Sequence, residues 1–203
     1  VITIGDELPT HKCLRVNAHR LALYARACQQ NDLVPIVEPE VMMEGTHTIL
    51  DCYDVTARTW DMVFQELAAH DVALDAIVFK CSMVLPADQC EEQCDVGTVA
   101  DSTLACLQSN VPANVAGIAF LSGGQSDRLA TQHLNEINRR SRGVPWPLTF
   151  SYGRALQQPA IELWRGEPSR VSRAQEALLM RARCNAAASV GKYSLELEEL
   201  TAV

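Results

Sequence analysis

A single lysine, Lys80, closes the apolar run Asp75-Ala76-Ile77-Val78-Phe79. An ammonium is costly to take out of water unless something compensates it, so a lysine ending a buried-looking strand needs a reason. One reason is chemical: burial favours the neutral amine, and a neutral amine is a nucleophile toward carbonyls. The other is a lysine whose stem packs on the sheet while its head snorkels to water. The residues after it, Cys81 and Ser82, are small and predict free space above the amine.

Glu38 and Glu40 flank Pro39 after another apolar run, Leu33-Val34-Pro35-Ile36-Val37. Alternation along an extended segment can put both carboxylates on one face, and the proline restricts the local backbone. Beside a cationic amine this pair would move protons; standing alone it is a solvated acidic loop. Two further strand ends suit anions: Leu121-Ser122-Gly123-Gly124 and Ser151-Tyr152-Gly153-Arg154. Glycines allow close backbone approach, a helix N-terminus attracts phosphate, and a guanidinium can grip it with two hydrogen bonds. Each is also compatible with an ordinary strand-to-helix turn. Taken with the amine, the two predict a site for a phosphorylated carbonyl compound.

Elements able to hold these residues recur in order. Continuous apolar runs at 33–37, 76–79, 115–121 and 147–150 predict strands buried on both faces of a parallel sheet. Helical spacing fills the gaps, through Ala18-Leu21-Ala22-Ala25, Trp60-Val63-Phe64-Leu67, Val99-Ala100-Thr103-Leu104-Leu107 and Ala130-His133-Leu134-Ile137. A final amphipathic helix is predicted from an N-cap at Ser172 to a terminating Gly191. The alternation predicts an α/β fold with its chemistry at the carboxyl ends of the strands. No GxGxxG and no GxxxxGK[ST] is present, so dinucleotide-binding and P-loop readings lose their main support.

Composition narrows the classes. With 203 residues and a net charge of −8, the chain has no basic stripe and predicts no nucleic-acid partner. No apolar run is long enough for a bilayer, so no membrane partner is expected. Eight cysteines are scattered through apolar patterns, and the one close pair, Cys90 and Cys94, has no second pair at zinc spacing. The five histidines, at 11, 19, 47, 70 and 133, form no ligand set in the sequence. Free thiols and a soluble composition predict a reduced compartment, the cytoplasm.

Three long segments then carry a family likeness: LVPIVEPEV at 33–41, GIAFLSGGQS at 117–126 and LTFSYGRALQ at 148–157. They resemble class I fructose-bisphosphate aldolase, and the likeness extends over residues 1–193, including 25–31 and 186–193. The resemblance implies a (β/α)8 TIM barrel, of which this chain covers the second half: strands 5–8 and the C-terminal helices in one partial barrel domain, 1–203. It implies a metal-independent, cofactor-free lyase that cleaves fructose 1,6-bisphosphate through a Lys80 Schiff base, with Glu38 and Glu40 moving protons. It further implies that Ser122, Gly123, Gly153 and Arg154 hold a sugar phosphate, with Ser151 and Leu121 nearby, and that the protein is a homo-oligomer, tetrameric in the family. Two departures stand out. Cys81-Ser82-Met83 replaces the family's Pro-Asn-Met after the lysine, and the C-terminal Leu200-Thr201-Ala202-Val203 lacks the family's terminal tyrosine. The charged residues of the family's earlier strands fall outside the likeness, which leaves a second reading: an aldolase-like fragment that binds phosphate or protein.

Overall fold

The computed structural model describes residues 1–199. The C-terminal segment 200–203, whose missing tyrosine the sequence singled out, lies outside the described residues. Four parallel strands form one sheet in chain order: β1 (Ile36–Val37), β2 (Val78–Cys81), β3 (Gly117–Phe120) and β4 (Leu148–Phe150). Helices separate them: α1 (His11–Gln29) precedes β1, and α2 (Ile49–Ala69), α3 (Val96–Asn110) and α4 (Asp127–Arg140) connect the strands. After β4 come α5 (Arg154–Trp164), α6 (Val171–Ala188) and the short α7 (Glu196–Glu199). Strand order equal to chain order, with a helix in every connection, is the winding of a TIM-barrel-type α/β fold. Among the described residues no helix is long and apolar enough to cross a membrane.

Strand register separates two faces. Val37, Phe79, Ile118 and Leu148 are paired across the sheet in one row, and all four are buried beneath the helices. The helix-facing core is strengthened by aromatic packing: Trp60 meets Phe79 edge-on at 5.5 Å between ring centroids, and Phe64 lies 5.0 Å from the same ring. On the opposite row, Lys80-Ala119-Thr149, burial is uneven: Lys80 is half-buried, Ala119 buried and Thr149 exposed. Ile36 on that side is 49% exposed, so the prediction of strands buried on both faces is corrected. A barrel strand faces helices on one side only; its other side looks toward the barrel axis.

Local chemistry sets the helix ends. Thr48 caps α2 by accepting from Asp51 N, and the Asp51 carboxylate accepts from Thr48 N in return, a complete capping box. Asp95 and Ser126 cap α3 and α4. The expected N-cap at Ser172 is not one: a 3₁₀ turn, Pro168–Arg170, feeds into α6 one residue earlier. Gly191 does terminate that region, in the left-handed conformation at φ +68°, with Lys192 N donating to Ala187 O. The sequence also concealed α5, because Pro159 sits inside it and removes one helical hydrogen bond.

A buried polar clamp holds α4, α6 and α7 together. The fully buried Arg181 guanidinium donates to Glu198 at 2.6 Å, to the Asp127 carbonyl at 2.9 Å and to the Thr131 hydroxyl. Tyr193 also donates to Glu198, at 2.7 Å. Burial opposes charge on Glu198, yet the Tyr193 and Arg181 hydrogen bonds, together with the Arg181 and Arg128 charges, hold its carboxyl below the usual range. A buried arginine of this kind is tolerated because both terminal nitrogens are hydrogen-bonded and Nε lies 3.5 Å from the Asp127 carboxylate.

Candidate active site

Lys80 is the third residue of β2, on the row facing away from the helices, and the strand continues one residue past it. Its Nζ lies 2.9 Å from Glu38 Oε1, with the lysine side chain 19% exposed and the glutamate 39%. The parallel pairing of β1 and β2 explains the meeting: Val37 is registered with Phe79, so the residues that follow each stand side by side. The amine is thus half-buried with an acidic partner, the neighbour the sequence expects. Such a pair can hand a proton across one hydrogen bond and so generate the nucleophile on demand.

Glu40 behaves differently. Its backbone carbonyl accepts from Ile2 N at 2.8 Å, but among the described residues its half-buried carboxylate makes no ion pair or side-chain hydrogen bond. The structure thus brings Glu38 to the amine and leaves Glu40 unpaired one turn of the extended chain further on.

The two small residues after Lys80 do not leave the space expected of them. Cys81 is fully buried, registered with Phe120 on the helix side, and burial pushes its thiol well above the ordinary range. Ser82 is spent on the neighbouring strand: its hydroxyl accepts from Val41 N at 3.1 Å and donates to Val41 O at 2.9 Å. The serine therefore staples the end of β2 to the segment carrying Glu38 and Glu40.

The loops after β3 and β4 leave the sheet at the same end as this pair. Leu121 N donates to Cys81 O at 3.0 Å and Ser151 N to Phe120 O at 2.8 Å, so the sheet pairing continues into both loops. Gly123 is at φ +57° and Gly124 at φ +89°, conformations that side chains rarely adopt. A Cβ on Gly123 would lie 3.2 Å from Leu121 Cδ1, so Leu121 packs against the turn. Arg154 opens α5, and its Nη2 lies 3.8 Å from where a Cβ on Gly124 would be. Gly124, Gln125, Ser126, Arg154, Ala155 and Gln158 line a cavity there. Arg154 has no ion pair or hydrogen bond of its side chain among the described residues, and Gly153 supplies no side-chain cap to the first turn of α5. A free guanidinium and an uncapped helix N-terminus suit an anion. Ser122 is buried three residues beyond Ala119, the register partner of Lys80, or about 10 Å along the strand.

Two residues supporting this loop escaped the sequence reading as functional. Gln125 Nε2 donates to Ser122 O at 3.0 Å, and its Oε1 lies 2.6 Å from His133 Nδ1. Since Gln125 Oε1 only accepts, His133 carries its proton on Nδ1 and leaves a buried Nε2 without a partner. Burial lowers the His133 pKa from 6.5 to about 4. The signal was visible as a histidine in the apolar stripe of α4, but the stripe alone could not say what it touched. Tyr152, buried at the exit of β4, donates to the Ala130 carbonyl of α4 at 2.9 Å and so ties the two loops to one helix. Folding also brings His19 and His70 together around Glu66, away from this site.

Comparisons with known proteins show the family. The model of the family "Fructose-bisphosphate aldolase class-I" matches residues 1–202. The chain is 46% identical over 194 residues to a probable fructose-bisphosphate aldolase class 1 of Xanthomonas axonopodis pv. citri, covering 95% of this chain and 58% of that protein. It is 43% identical to a cytosolic fructose-bisphosphate aldolase, number 4, of Arabidopsis thaliana, covering 95% of this chain and 49% of the relative. A solved fructose-bisphosphate aldolase from Plasmodium falciparum, in complex with TRAP and a small-molecule inhibitor, superimposes with a TM-score of 0.93 at 40% identity, over 95% of this chain and 56% of the other. The chain belongs to the class I fructose-bisphosphate aldolase family. It spans about half the length of the curated relatives it matches.

Proposed function

We propose that this chain is the second half of an aldolase barrel, strands 5–8 with the C-terminal helices, in one partial domain over 1–203, and that the completed barrel cleaves fructose 1,6-bisphosphate. The observation that carries the reading is the Lys80–Glu38 contact of 2.9 Å on the uncovered face of the sheet. Glu38 accepts the ammonium proton, and the freed amine attacks the C2 ketone to give a carbinolamine. The same carboxyl returns a proton to the carbinol hydroxyl, which leaves as water, and the iminium forms. Glu38, a carboxylate again, takes the C4 hydroxyl proton while the iminium draws in the electron pair of the breaking C3–C4 bond, releasing glyceraldehyde 3-phosphate and leaving an enamine. Protonation at C3 and hydrolysis then free dihydroxyacetone phosphate and restore Lys80. Glu40 assists through its charge, and Ser122, Gly123, Gly153 and Arg154 hold one phosphate, with Ser151 beside them. A homo-oligomer and a cytoplasmic location follow the same reading, the latter supported by the cytosolic relative.

Borohydride reduction in the presence of dihydroxyacetone phosphate tests it, because reduction fixes an imine as a stable amine. The chain has three lysines, Lys12, Lys80 and Lys192, so peptide mapping gives an unambiguous answer. The expected adduct is on Lys80. An adduct on Lys12 or Lys192 in the complete barrel overturns the assignment.

A further inference from the structure

The outer helical layer brings together His19 of α1 with Glu66 of α2 and its C-cap His70. We propose that these three residues form a divalent transition-metal site, best suited to Zn2+, that clips α1 to α2. His19 Nδ1 lies 3.1 Å from Glu66 Oε2 and His70 Nδ1 lies 3.7 Å from the same oxygen. The imidazoles meet edge to face, 4.9 Å between centroids. One ligand atom from each residue falls within 4.8 Å of the others. Ligands bonded to zinc at about 2.0–2.2 Å in a tetrahedron stand roughly 3.3 Å apart, so the ligand atoms must close in by up to roughly 1.5 Å, a rotamer-sized adjustment of one exposed and two half-buried side chains.

The ligand set selects the ion. Two imidazoles and one carboxylate are the nitrogen-rich donors that zinc, nickel and copper favour, whereas calcium and magnesium demand several oxygens. Arg15 and Arg20 line the same groove, so the surrounding field does not attract cations, and a hard ion held by charge alone is disfavoured. Supporting contacts already orient one ligand: His70 Nδ1 lies 2.8 Å from the Glu66 carbonyl, which leaves Nε2 free for the metal. Glu66 and His70 are four residues apart on one helix face, and His19 comes from the neighbouring helix, so the fold and not the sequence spacing creates the site. Three protein donors leave a fourth position for water. The site sits where α2 ends and leads into the start of β2, the opposite end of the strand from Lys80. Metal bound there acts on stability, by favouring the folded form through mass action, and not on the imine chemistry.

The test is titration of the 203-residue chain with Zn2+ by calorimetry, with Co2+ as a spectroscopic probe. The expected result is one bound equivalent, a rise in Tm, and Co2+ visible bands without thiolate charge transfer. His19→Gln, whose side chain is the most exposed of the three, should weaken binding at least tenfold while leaving the metal-free Tm unchanged. His70→Gln and Glu66→Gln should do the same. A Cys90→Ser/Cys94→Ser variant should bind as the parent does. Absence of binding, binding unaffected by His19→Gln and His70→Gln, or a thiolate charge-transfer band each overturns the site.

Discussion

Acid should weaken this protein through His133, and the structure supplies the magnitude. The imidazole is buried, its Nδ1 is engaged by Gln125 and its Nε2 has no partner, so adding a proton would strand a charge in the core. Burial takes its pKa from 6.5 to about 4. The sign follows from proton counting: below pH 6.5 the unfolded chain binds a proton that the folded chain refuses, so stability falls as pH drops and levels off near pH 4. A gap of roughly 2.5 pKa units corresponds to about 3 kcal/mol when complete, with about 1 kcal/mol already lost by about pH 5.5. The assay is urea denaturation at about pH 7.5 and about pH 5.5, comparing the parent with His133→Asn, whose amide can still donate to Gln125 Oε1. His47 is also buried with a lowered pKa and contributes to the parent's total, so the decisive quantity is the difference between the two proteins. The variant should lose about 1 kcal/mol less than the parent between the two pH values. Identical losses, or a His133 imidazole that titrates in NMR near neutrality, would refute the reasoning.

Arg154→Ala should weaken phosphorylated substrate by roughly ten- to a hundredfold, the loss of one charge-assisted contact, while barely changing the handling of fructose itself; competition binding with inorganic phosphate measures it. Gly123→Ala forces a side chain into φ +57° against Leu121 and should cost about 1–2 kcal/mol, read as a shift in the denaturation midpoint. Arg181→Met leaves the buried Glu198 carboxylate with only Tyr193 and the exposed Arg128 and should destabilise by about 3 kcal/mol, whereas the double change Arg181→Met/Glu198→Gln should recover a large part of that loss. The 203-residue chain alone should self-associate through its open sheet face in size-exclusion chromatography and cleave fructose 1,6-bisphosphate orders of magnitude more slowly than a completed barrel.

What the sequence could reveal depended on whether the determining contact was local. The four strands and the helices between them were legible because apolar runs and 3.6-residue spacing are written into consecutive positions, as in Trp60, Val63, Phe64 and Leu67. The turn chemistry of Gly123 and Arg154 could be read for the same reason. Pro159 hid α5, since a proline normally breaks a helix and here only notches it. Longer-range meetings were out of reach. Nothing near Ser82 announces a bond to Val41, 41 residues away, and nothing near His19 announces Glu66, 47 residues away. Burial on both faces was overestimated at Ile36 because an apolar run cannot say whether its second face meets helices or a barrel axis.

The uncovered face and the lysine are one problem. Glu38 is 39% exposed there, and an ion pair open to solvent is worth about 0–1 kcal/mol because water competes for both charges. Water is also the reagent that returns an iminium to ketone and amine, so an imine on Lys80 would survive poorly beside a wetted sheet. Covering the row Lys80-Ala119-Thr149 changes both terms at once: it strengthens the Lys80–Glu38 interaction by lowering the local dielectric, and it keeps water from the intermediate. The phosphate loops need no such cover, since Ser122 is already buried and Arg154 is anchored at a helix start. Binding and chemistry are therefore separable in this chain. On the proposed function, the phosphate grip belongs to β3, β4 and their helices, while carbon–carbon cleavage requires the row Lys80-Ala119-Thr149 to be covered.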